Sequence, residues 1–359
     1  MKITRLYGAM DFRTEEAEEP ICPPGYVKAR TLYVGLCGSD RPRGLFGEVP
    51  FFPSTIGHEF SSVITEIGEG VTSVKVGDVV AVVPLMVCHK CAPCRTAHYG
   101  QCLNKKFLGL RVPDVGGFAE YNVLPEANVI KVPEGLSPIH AAMIEPVSVA
   151  LHGIFRSGFQ PGHDVAVVGA GTIGLLVIQA LRAMGAKKIH VFDAVDSQLE
   201  RAKRLGADYL YNTSAPDFID RYHELTGGLG CSYVMEVVGI QETTSLALQL
   251  AAVNANIALI GYLDKPLAFN AAEVRKILEQ EFNLIGVWQS YDLDFPGDAW
   301  RLGLEYLRDG KFDVEDMIDR VVTPDHLLDA FNDWRSPGKV KGKMIIDFTG
   351  SQNRTTNDE

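Results

Sequence analysis

The sequence predicts an α/β protein in which a β-rich domain is joined to a doubly wound parallel sheet. Two observations carry this prediction. Residues 26–125 consist of short alternating or β-branched segments separated by glycine turns, a texture typical of a compact barrel or sandwich. After Pro138, short apolar segments alternate with helical ones, which is typical of parallel strands connected by helices.

The length and the net charge limit the classes of protein to which the chain can belong. The chain has 359 residues, which allows two or three domains. Its 34 Lys and Arg against 45 Asp and Glu give a net charge of −11, and an acidic surface argues against binding to nucleic acid. No apolar run reaches the roughly 18 residues that span a bilayer, and the N-terminal residues are polar. We expect a cytoplasmic protein without membrane or nucleic-acid partners.

The elements follow in order along the chain. In the β-rich region, strands are expected at residues 27–30, 61–67 and 78–83, with a glycine turn after the second and Pro84 closing the third. A helix is expected over residues 139–156. The alternating elements are then expected as strands at 164–168, 189–192, 233–237, 257–260 and 284–288, and as helices at 172–184, 197–205 and 242–252.

The pattern changes again after residue 289. Two helices are expected at residues 299–308 and 326–334, and a last strand at 343–347 could return to the first domain. The predicted organisation is therefore a β-rich catalytic domain formed by residues 1–154 and 289–348, with a cofactor domain at 155–288 inserted into it. Residues 349–359 are polar and lack an apolar anchor, so we expect a flexible tail.

Four of the seven cysteines lie within fifteen residues. Cys88, Cys91, Cys94 and Cys102 form a C-x2-C-x2-C-x7-C pattern, in which four thiolates can enclose one tetrahedral zinc. Two disulfides or four free thiols are the alternatives, but an odd number of cysteines and an expected reducing compartment favour metal. We predict a closed, structural zinc site in a lobe at about residues 85–105.

A glycine-rich loop follows the strand at 164–168. Gly169, Gly171 and Gly174 form a G-x-G-x-x-G that opens an apolar helix, with Thr172 and Ile173 between the second and third glycines. The glycines allow the tight turn, the approach of a pyrophosphate and close helix–strand packing, and the helix N-terminus favours the phosphates.

An acid is expected about twenty residues further on, where it would bind the ribose hydroxyls. Asp193 has this position, and its carboxylate would repel a 2′-phosphate. The sequence therefore predicts NAD as the cofactor, with an unrelated glycine turn as the alternative.

A second candidate metal site is dispersed along the chain. Cys37, His58 and Glu145 provide the thiolate, imidazole and carboxylate that a catalytic zinc uses when it keeps one position open. Each residue also has a purely structural interpretation. Cys37 would be a small buried side chain, His58 a core histidine and Glu145 an acid on a helix surface. The spacing alone does not show that the three converge.

The sequence resembles the zinc-containing medium-chain dehydrogenase/reductase family, over about residues 25–348, and most of all its polyol branch. The resemblance rests on seven motifs in order. They are residues 35–40 (GLCGSD), 57–59 (GHE), 77–80 (GDVV), the four cysteines, 116–121 (GGFAEY), 145–146 (EP) and the glycine loop. It implies a GroES-like β-rich catalytic domain and a Rossmann cofactor domain.

The resemblance also implies a mechanism. One catalytic zinc would be held by Cys37, His58 and a carboxylate, either Glu59 or Glu145, and a structural zinc by the four cysteines. The fourth position at the catalytic zinc would take water or the substrate hydroxyl, Ser39 would pass the hydroxyl proton onward, and a hydride would move to NAD. Relatives are dimers or tetramers, so we expect a homo-oligomer.

Two departures from the family pattern concern the proton and the cofactor. Pro42 stands where many relatives have a histidine that ends the proton relay, and Gln198 stands where a basic residue near the adenosine is common. The expected substrate is a polyol phosphate, with a free polyol, a sugar acid, a vicinal diol or threonine as alternatives. A zinc-free quinone or enone reductase and a non-catalytic zinc module fit the residues less well.

Overall fold

The computed structural model describes residues 1–263, 265–336 and 338–350. It divides into two compact units. The first contains Met1–Glu145, Tyr291–Gly310 and the described residues from Val314 onward, and the second contains Pro146–Ser290 and Lys311–Asp313. The division falls inside a helix, nine residues before the boundary expected at 154, and between 290 and 291 rather than after 288. Residues 351–359 of the expected tail lie outside the described residues.

The strands are numbered in chain order. They are β1 Lys2–Leu6, β2 Phe12–Glu16, β3 Tyr26–Gly35, β4 Glu59–Ile67, β5 Val79–Val82, β6 Leu85–Met86, β7 Lys106–Phe107, β8 Tyr121–Pro125, β9 Val129–Lys131, β10 Asp164–Val168, β11 Lys188–Asp193, β12 Tyr209–Asn212, β13 Cys231–Glu236, β14 Ala251–Leu259, β15 Asn283–Gly286, β16 Ile318–Val322 and β17 Lys343–Asp347.

The helices are α1 Asp40–Phe46, α2 Ala92–Arg95, α3 Pro138–Ala141, α4 Ile144–Arg156, α5 Thr172–Ala183, α6 Asp196–Arg204, α7 Phe218–Thr226, α8 Gln241–Leu250, α9 Ala271–Glu279, α10 Asp298–Arg308 and α11 Leu327–Arg335. Short 3₁₀ turns cover Tyr99–Gln101, Glu126–Asn128 and Pro324–His326. No helix in the described part of the chain has the length and apolar character needed to cross a membrane.

The first unit is built on a seven-stranded sheet in which β3 is central. The order is β16-β17-β3-β4-β5-β9, and β8 also pairs with β3. β17 runs antiparallel to β3, with Ile345 opposite Gly35, so the strand predicted at 343–347 does return to the β-rich domain. The hairpin β1–β2 was not predicted, because its outer strand is largely polar and exposed.

The second unit is a six-stranded, all-parallel sheet with the order β12-β11-β10-β13-β14-β15. From β10 the chain adds β11 and then β12 on one side. It then crosses to the other side of β10, where it adds β13, β14 and β15. Residues 165–168 of the central strand are fully buried, which explains why the sequence shows a continuous apolar run there. The predicted doubly wound fold is confirmed, and its topological switch point lies between β10 and β13.

The helix predicted at 139–156 is in fact two helices. α3 ends at Ala141 and α4 begins at Ile144, because Pro146 has no N–H and its ring would clash with a helical carbonyl four residues earlier. Proline is tolerated only in the first turn, so the chain restarts the helix there. β12, α7 and α9 were also not predicted.

Candidate active site

The four cysteines of the lobe converge. The Sγ atoms of Cys88, Cys91, Cys94 and Cys102 all lie within 4.8 Å of one another. The Sγ atom of Cys102 is 3.6 Å from that of Cys88 and 3.9 Å from that of Cys91. Four thiolates bound tetrahedrally to zinc at ~2.3 Å have sulfur–sulfur separations of ~3.8 Å. The spacing therefore fits a zinc ion and not a pair of disulfides.

The pKa values of two thiols in the lobe are shifted in opposite directions. N–H groups of Lys90 and Cys91 point at Cys88 and lower its pKa to about 5. Burial raises the pKa of Cys94 to about 12, and the neighbouring thiols add to this effect. A divalent cation would offset the cost of burying several thiolates together, so the donor set fits a structural zinc with all four positions filled by protein.

The dispersed site also comes together, on β3 and β4. Cys37 lies two residues beyond β3, and His58 immediately precedes β4. The ligand atoms of Cys37, His58 and Glu59 lie within 4.8 Å of one another. Gly35 is paired with Glu59 across the two strands, and a Cβ at Gly35 would lie 2.4 Å from Glu59 Oε2. Only glycine leaves room for this carboxylate.

A buried aspartate, which sequence reasoning missed, supports the cluster. Asp40 is fully buried, accepts a hydrogen bond from the Cys37 N–H at 3.1 Å and pairs with Arg43 at 2.8 Å. Its Oδ1 is 3.6 Å from Nδ1 of His58. Burial opposes ionisation of Asp40, but His58, Arg43 and the Cys37 amide outweigh it and lower its pKa to about 2.

A buried lysine was missed as well. Lys343, the first residue of β17, donates from Nζ to both carboxylate oxygens of Glu59 at 2.8 and 2.6 Å. Burial alone would lower the pKa of Lys343, but the charges of Glu59 and Cys37 raise it above its ordinary value. The available signal was a lysine that opens a strand whose next three residues are apolar. Glu59 is therefore within ligand reach of the cluster and is at the same time held by a cation.

Glu145 occupies the second position of α4 and stands apart from the group of three. Removal from water raises the pKa of its carboxyl to about 7; Glu59 and Asp40 add to the rise, and His58 and Lys343 oppose it. Glu145 is thus in the electrostatic field of the cluster but outside the set of atoms within 4.8 Å. Which carboxylate would be the third ligand stays open, as it was in the sequence.

The residues fit a zinc ion. Nδ1 of His58 is buried and has no hydrogen-bond partner among the described residues. A thiolate, an imidazole and a carboxylate in contact are donors that zinc prefers, and three protein ligands would leave one position open. Ser39 is exposed at the N-terminus of α1, and its side chain makes no capping hydrogen bond. Its part in proton transfer stays a prediction.

The glycine loop lies between β10 and α5, beside the switch point. Gly169 has a φ of 104°, Gly171 caps α5, and Thr172 and Ile173 form its first turn. A Cβ on Gly174 would lie 2.0 Å from the carbonyl oxygen of Gly169, so the helix could not pack this closely with a larger residue.

Asp193 ends β11 next to this loop. Its carboxylate accepts hydrogen bonds from the Ala170 N–H at 2.7 Å and the Val195 N–H at 2.9 Å. The acid predicted from the sequence is therefore positioned by backbone groups at the edge of the sheet where dinucleotides bind. Contact with a ribose stays a prediction.

A doubly wound domain, a β-rich domain and a Cys–His–carboxylate cluster define an alcohol dehydrogenase that uses zinc and a nicotinamide dinucleotide. Comparison with known families agrees. Residues 23–134 match the model "Alcohol dehydrogenase GroES-like domain", and residues 172–305 match "Zinc-binding dehydrogenase". The chain belongs to the zinc-dependent alcohol and polyol dehydrogenases of the medium-chain family, which use zinc and NAD(P).

Two relatives and one solved structure show which members of this family the chain is similar to. The chain is 36% identical to galactitol 1-phosphate 5-dehydrogenase of Escherichia coli strain K12, over 88% of this chain and 91% of that protein. It is 31% identical to (R,R)-butanediol dehydrogenase of Bacillus subtilis, over 92% and 94%. The crystal structure of galactitol-1-phosphate dehydrogenase from Escherichia coli superposes with a TM-score of 0.91 at 33% identity, covering 97% of this chain and 100% of that one.

Proposed function

We propose that the protein oxidises a secondary alcohol of a polyol phosphate similar to galactitol 1-phosphate, giving a ketose phosphate and NADH. The observation that carries the proposal is the converged cluster of Cys37, His58 and Glu59, with Glu145 in its electrostatic field. The relative that is 36% identical and acts on galactitol 1-phosphate supports the choice of substrate.

In this proposal Cys37, His58 and either Glu59 or Glu145 would hold the catalytic zinc. A bound zinc supplies Lewis-acid chemistry, which lowers the pKa of a substrate hydroxyl. The Asp40 carboxylate, 3.6 Å from Nδ1 of His58, places a negative charge beside the ring that would hold the ion. Lys343 holds Glu59 in place and offsets part of the negative charge of the pocket. Ser39 takes the hydroxyl proton and passes it toward solvent.

The glycine loop and Asp193 would bind the cofactor. Backbone N–H groups of residues 171–174 at the start of α5 would receive the pyrophosphate, and the macrodipole of this helix favours its charge. The Asp193 carboxylate would accept from the ribose hydroxyls and repel a 2′-phosphate, which favours NAD over NADP.

The cations around the site favour a second candidate, a free polyol or a vicinal diol. Arg43, a candidate for binding a phosphate, is already paired with Asp40 at 2.8 Å. Lys105 donates to the carbonyl of Gly100 at 2.9 Å, and Lys106 is exposed on β7. A phosphate would have to share Arg43 and Lys105 with these partners, or bind the exposed Lys106 or another cation.

The test is the initial rate of NADH formation with matched substrates: galactitol 1-phosphate beside galactitol, and sorbitol beside its phosphate. (R,R)-2,3-butanediol, a sugar acid and threonine complete the set. We expect the initial rate to be orders of magnitude higher with the phosphorylated polyols than with the free ones. Chelation of the zinc should abolish it. A preference for free polyols or butanediol would support the second candidate, and a rate that survives full removal of zinc would contradict both.

Two further expectations belong to the same proposal. β15 is an edge of the parallel sheet in the described part of the chain, and a second copy could pair with it in a homodimer or homotetramer. Light scattering tests this, and a monomeric mass would contradict it. A cytoplasmic location stays a prediction, which fractionation of the source cells would test.

A further inference from the structure

Tyr291 carries a buried hydroxyl that the proposed mechanism does not use. The residue is 5% exposed, and its Oη atom has no hydrogen-bond partner within the described part of the chain. A buried phenol usually finds an acceptor, because an unsatisfied polar group costs free energy. An orphaned donor in the β-rich unit of a dehydrogenase points to a partner that arrives with the substrate.

The ring of Tyr291 is fixed by aromatic neighbours. It stacks on Phe295 with ring centroids 5.9 Å apart and on Trp300 at 6.1 Å, with interplanar angles of 18° and 21°. Trp300 is fully buried, and the Asp292 N–H donates to the Pro296 carbonyl at 3.2 Å, which closes the loop between them. A phenol held in this way presents its hydroxyl at one position.

The cysteine lobe braces the same loop. Phe295 meets Tyr99 edge-on at 5.4 Å and His89 at 6.0 Å, and both residues lie in the lobe, near the cysteines. His89 also meets Tyr99 at 5.8 Å. A continuous series of ring contacts therefore runs from the lobe through Phe295 to Tyr291. The lobe thus supports the Tyr291 side chain in addition to its candidate role as a zinc site.

The hydroxyl lies on the side of the candidate catalytic pocket. Burial raises the pKa of Tyr291 well above its ordinary value, and the Glu145 carboxylate adds to the rise, while the Leu85 amide opposes it. Contacts give the same placement: the phenol faces the Leu85 amide, Leu85 pairs with Phe107 across β6 and β7, and the Phe107 ring is 5.6 Å from the His58 ring. The phenol is therefore a buried, neutral donor on the side of the β-rich unit where Phe107 packs against His58.

We infer that Tyr291 determines specificity by donating a hydrogen bond to a substrate hydroxyl next to the one that is oxidised. The inference rests on the proposed function, because it requires a substrate with neighbouring hydroxyls. A polyol or a vicinal diol offers this acceptor and a monohydric alcohol does not. Tyr291 thus selects polyhydric substrates, and Phe295, Tyr99 and His89 are positioning residues behind it.

The test compares 2,3-butanediol with 2-butanol, which lacks one hydroxyl, in the wild-type holoenzyme and in Tyr291→Phe. We expect the preference for the diol, measured as the ratio of kcat/KM values, to fall about tenfold, mostly through KM. The rate with 2-butanol should stay within about twofold. Because phenylalanine keeps the ring stack and removes an orphaned polar atom, the melting temperature should stay the same or rise.

Tyr222→Phe is the matched control, since Tyr222 is fully buried and donates to the Leu250 carbonyl at 2.7 Å in the other unit. It should lower the melting temperature and leave the diol preference unchanged. An unchanged preference in Tyr291→Phe, or equal losses with both alcohols, would overturn the inference. A wild-type enzyme that oxidises butanediol but not galactitol 1-phosphate would remove the phosphate from the proposed function and leave this test intact.

Discussion

The two candidate metal centres of the β-rich unit differ in how the chain builds them. The four thiols of the lobe come from one segment of fifteen residues and need only local turns to converge. The second cluster takes Cys37 from just beyond β3, and His58 and Glu59 from where β4 begins; Lys343, which pairs with Glu59, comes from β17, about three hundred residues away in sequence. The first is a local structure, and the second is a product of the whole sheet.

Their chemistry differs in the same way. The lobe offers four donors of one chemical kind, all from protein, so it suits an ion that only holds the chain together. The second cluster offers three different donors and a layer of charged residues behind them: Asp40 at His58 and Lys343 at Glu59. Buried charges of this kind are costly, and their retention is typical of a centre that performs a reaction.

Loss of the thiolate in the second cluster should have the largest effect. Cys37→Ala should lower kcat/KM by about 10³-fold or more, because the ion that polarises the substrate loses a ligand, worth roughly 4 kcal/mol. Cys22→Ala is the matched control, since Cys22 is also half-buried in this unit. It should keep full activity. Equal activity in both variants would show that Cys37 holds no catalytic metal.

Breaking the Lys343–Glu59 pair should have the next largest effect, on stability. Lys343→Met leaves the Glu59 carboxylate buried without its cation and should lower the free energy of unfolding by about 3 kcal/mol. The double variant Lys343→Met with Glu59→Gln should recover most of this loss. Urea unfolding in saturating zinc measures both, and additive losses in the double variant would contradict the pairing.

A ligand change in the lobe should have a somewhat smaller effect, and of a different kind. Cys94→Ser should remove one zinc per chain and lower the free energy of unfolding by about 2 kcal/mol, a fall in melting temperature of several degrees. The kcat of the folded enzyme should change much less than in Cys37→Ala. Metal analysis and calorimetry measure these quantities, and a zinc content equal to that of the wild type would contradict a structural site.

The smallest effect is expected from changing Asp40, which lies beside the candidate ligand His58 and is not a candidate ligand itself. Asp40→Asn should weaken zinc binding at the second cluster by about 10- to 100-fold, because the His58 ring loses its charged partner. Asp78→Asn is the matched control, since Asp78 is also buried, accepts from a backbone N–H at 3.0 Å and pairs with Lys131. Competition with a chelating dye should show a weaker site in the first variant alone.

The same difference explains how much the sequence could predict. The spacing of Cys88 to Cys102, the glycine loop and the strand at 164–168 are local patterns, and the residues lie together as expected. Asp40 and Lys343 were missed because their roles depend on which strands become neighbours, and β17 joins β3 only in the folded sheet. An aromatic residue at position 291 suits core packing as well as lining a cleft, so the sequence alone did not single out Tyr291.

Secondary structure followed the same rule. The helix expected over residues 139–156 is broken just before the Glu145–Pro146 pair, which the sequence places inside it, but the pair did not predict two separate helices. β12, α7 and α9 lack a clear period because only part of each faces the core; α9 has no fully buried residue. Burial is set by the neighbours of an element, which a single sequence does not contain.

The most direct test of the two-centre account is a timed chelation of the purified enzyme, with zinc content, NADH formation and melting temperature measured on the same samples. The account predicts that one zinc per chain leaves first, that activity falls in proportion to it, and that the melting temperature falls steeply only when the second zinc leaves. A loss of both ions together, or activity that persists after the first ion has gone, would contradict the division into an open catalytic centre and a closed structural one.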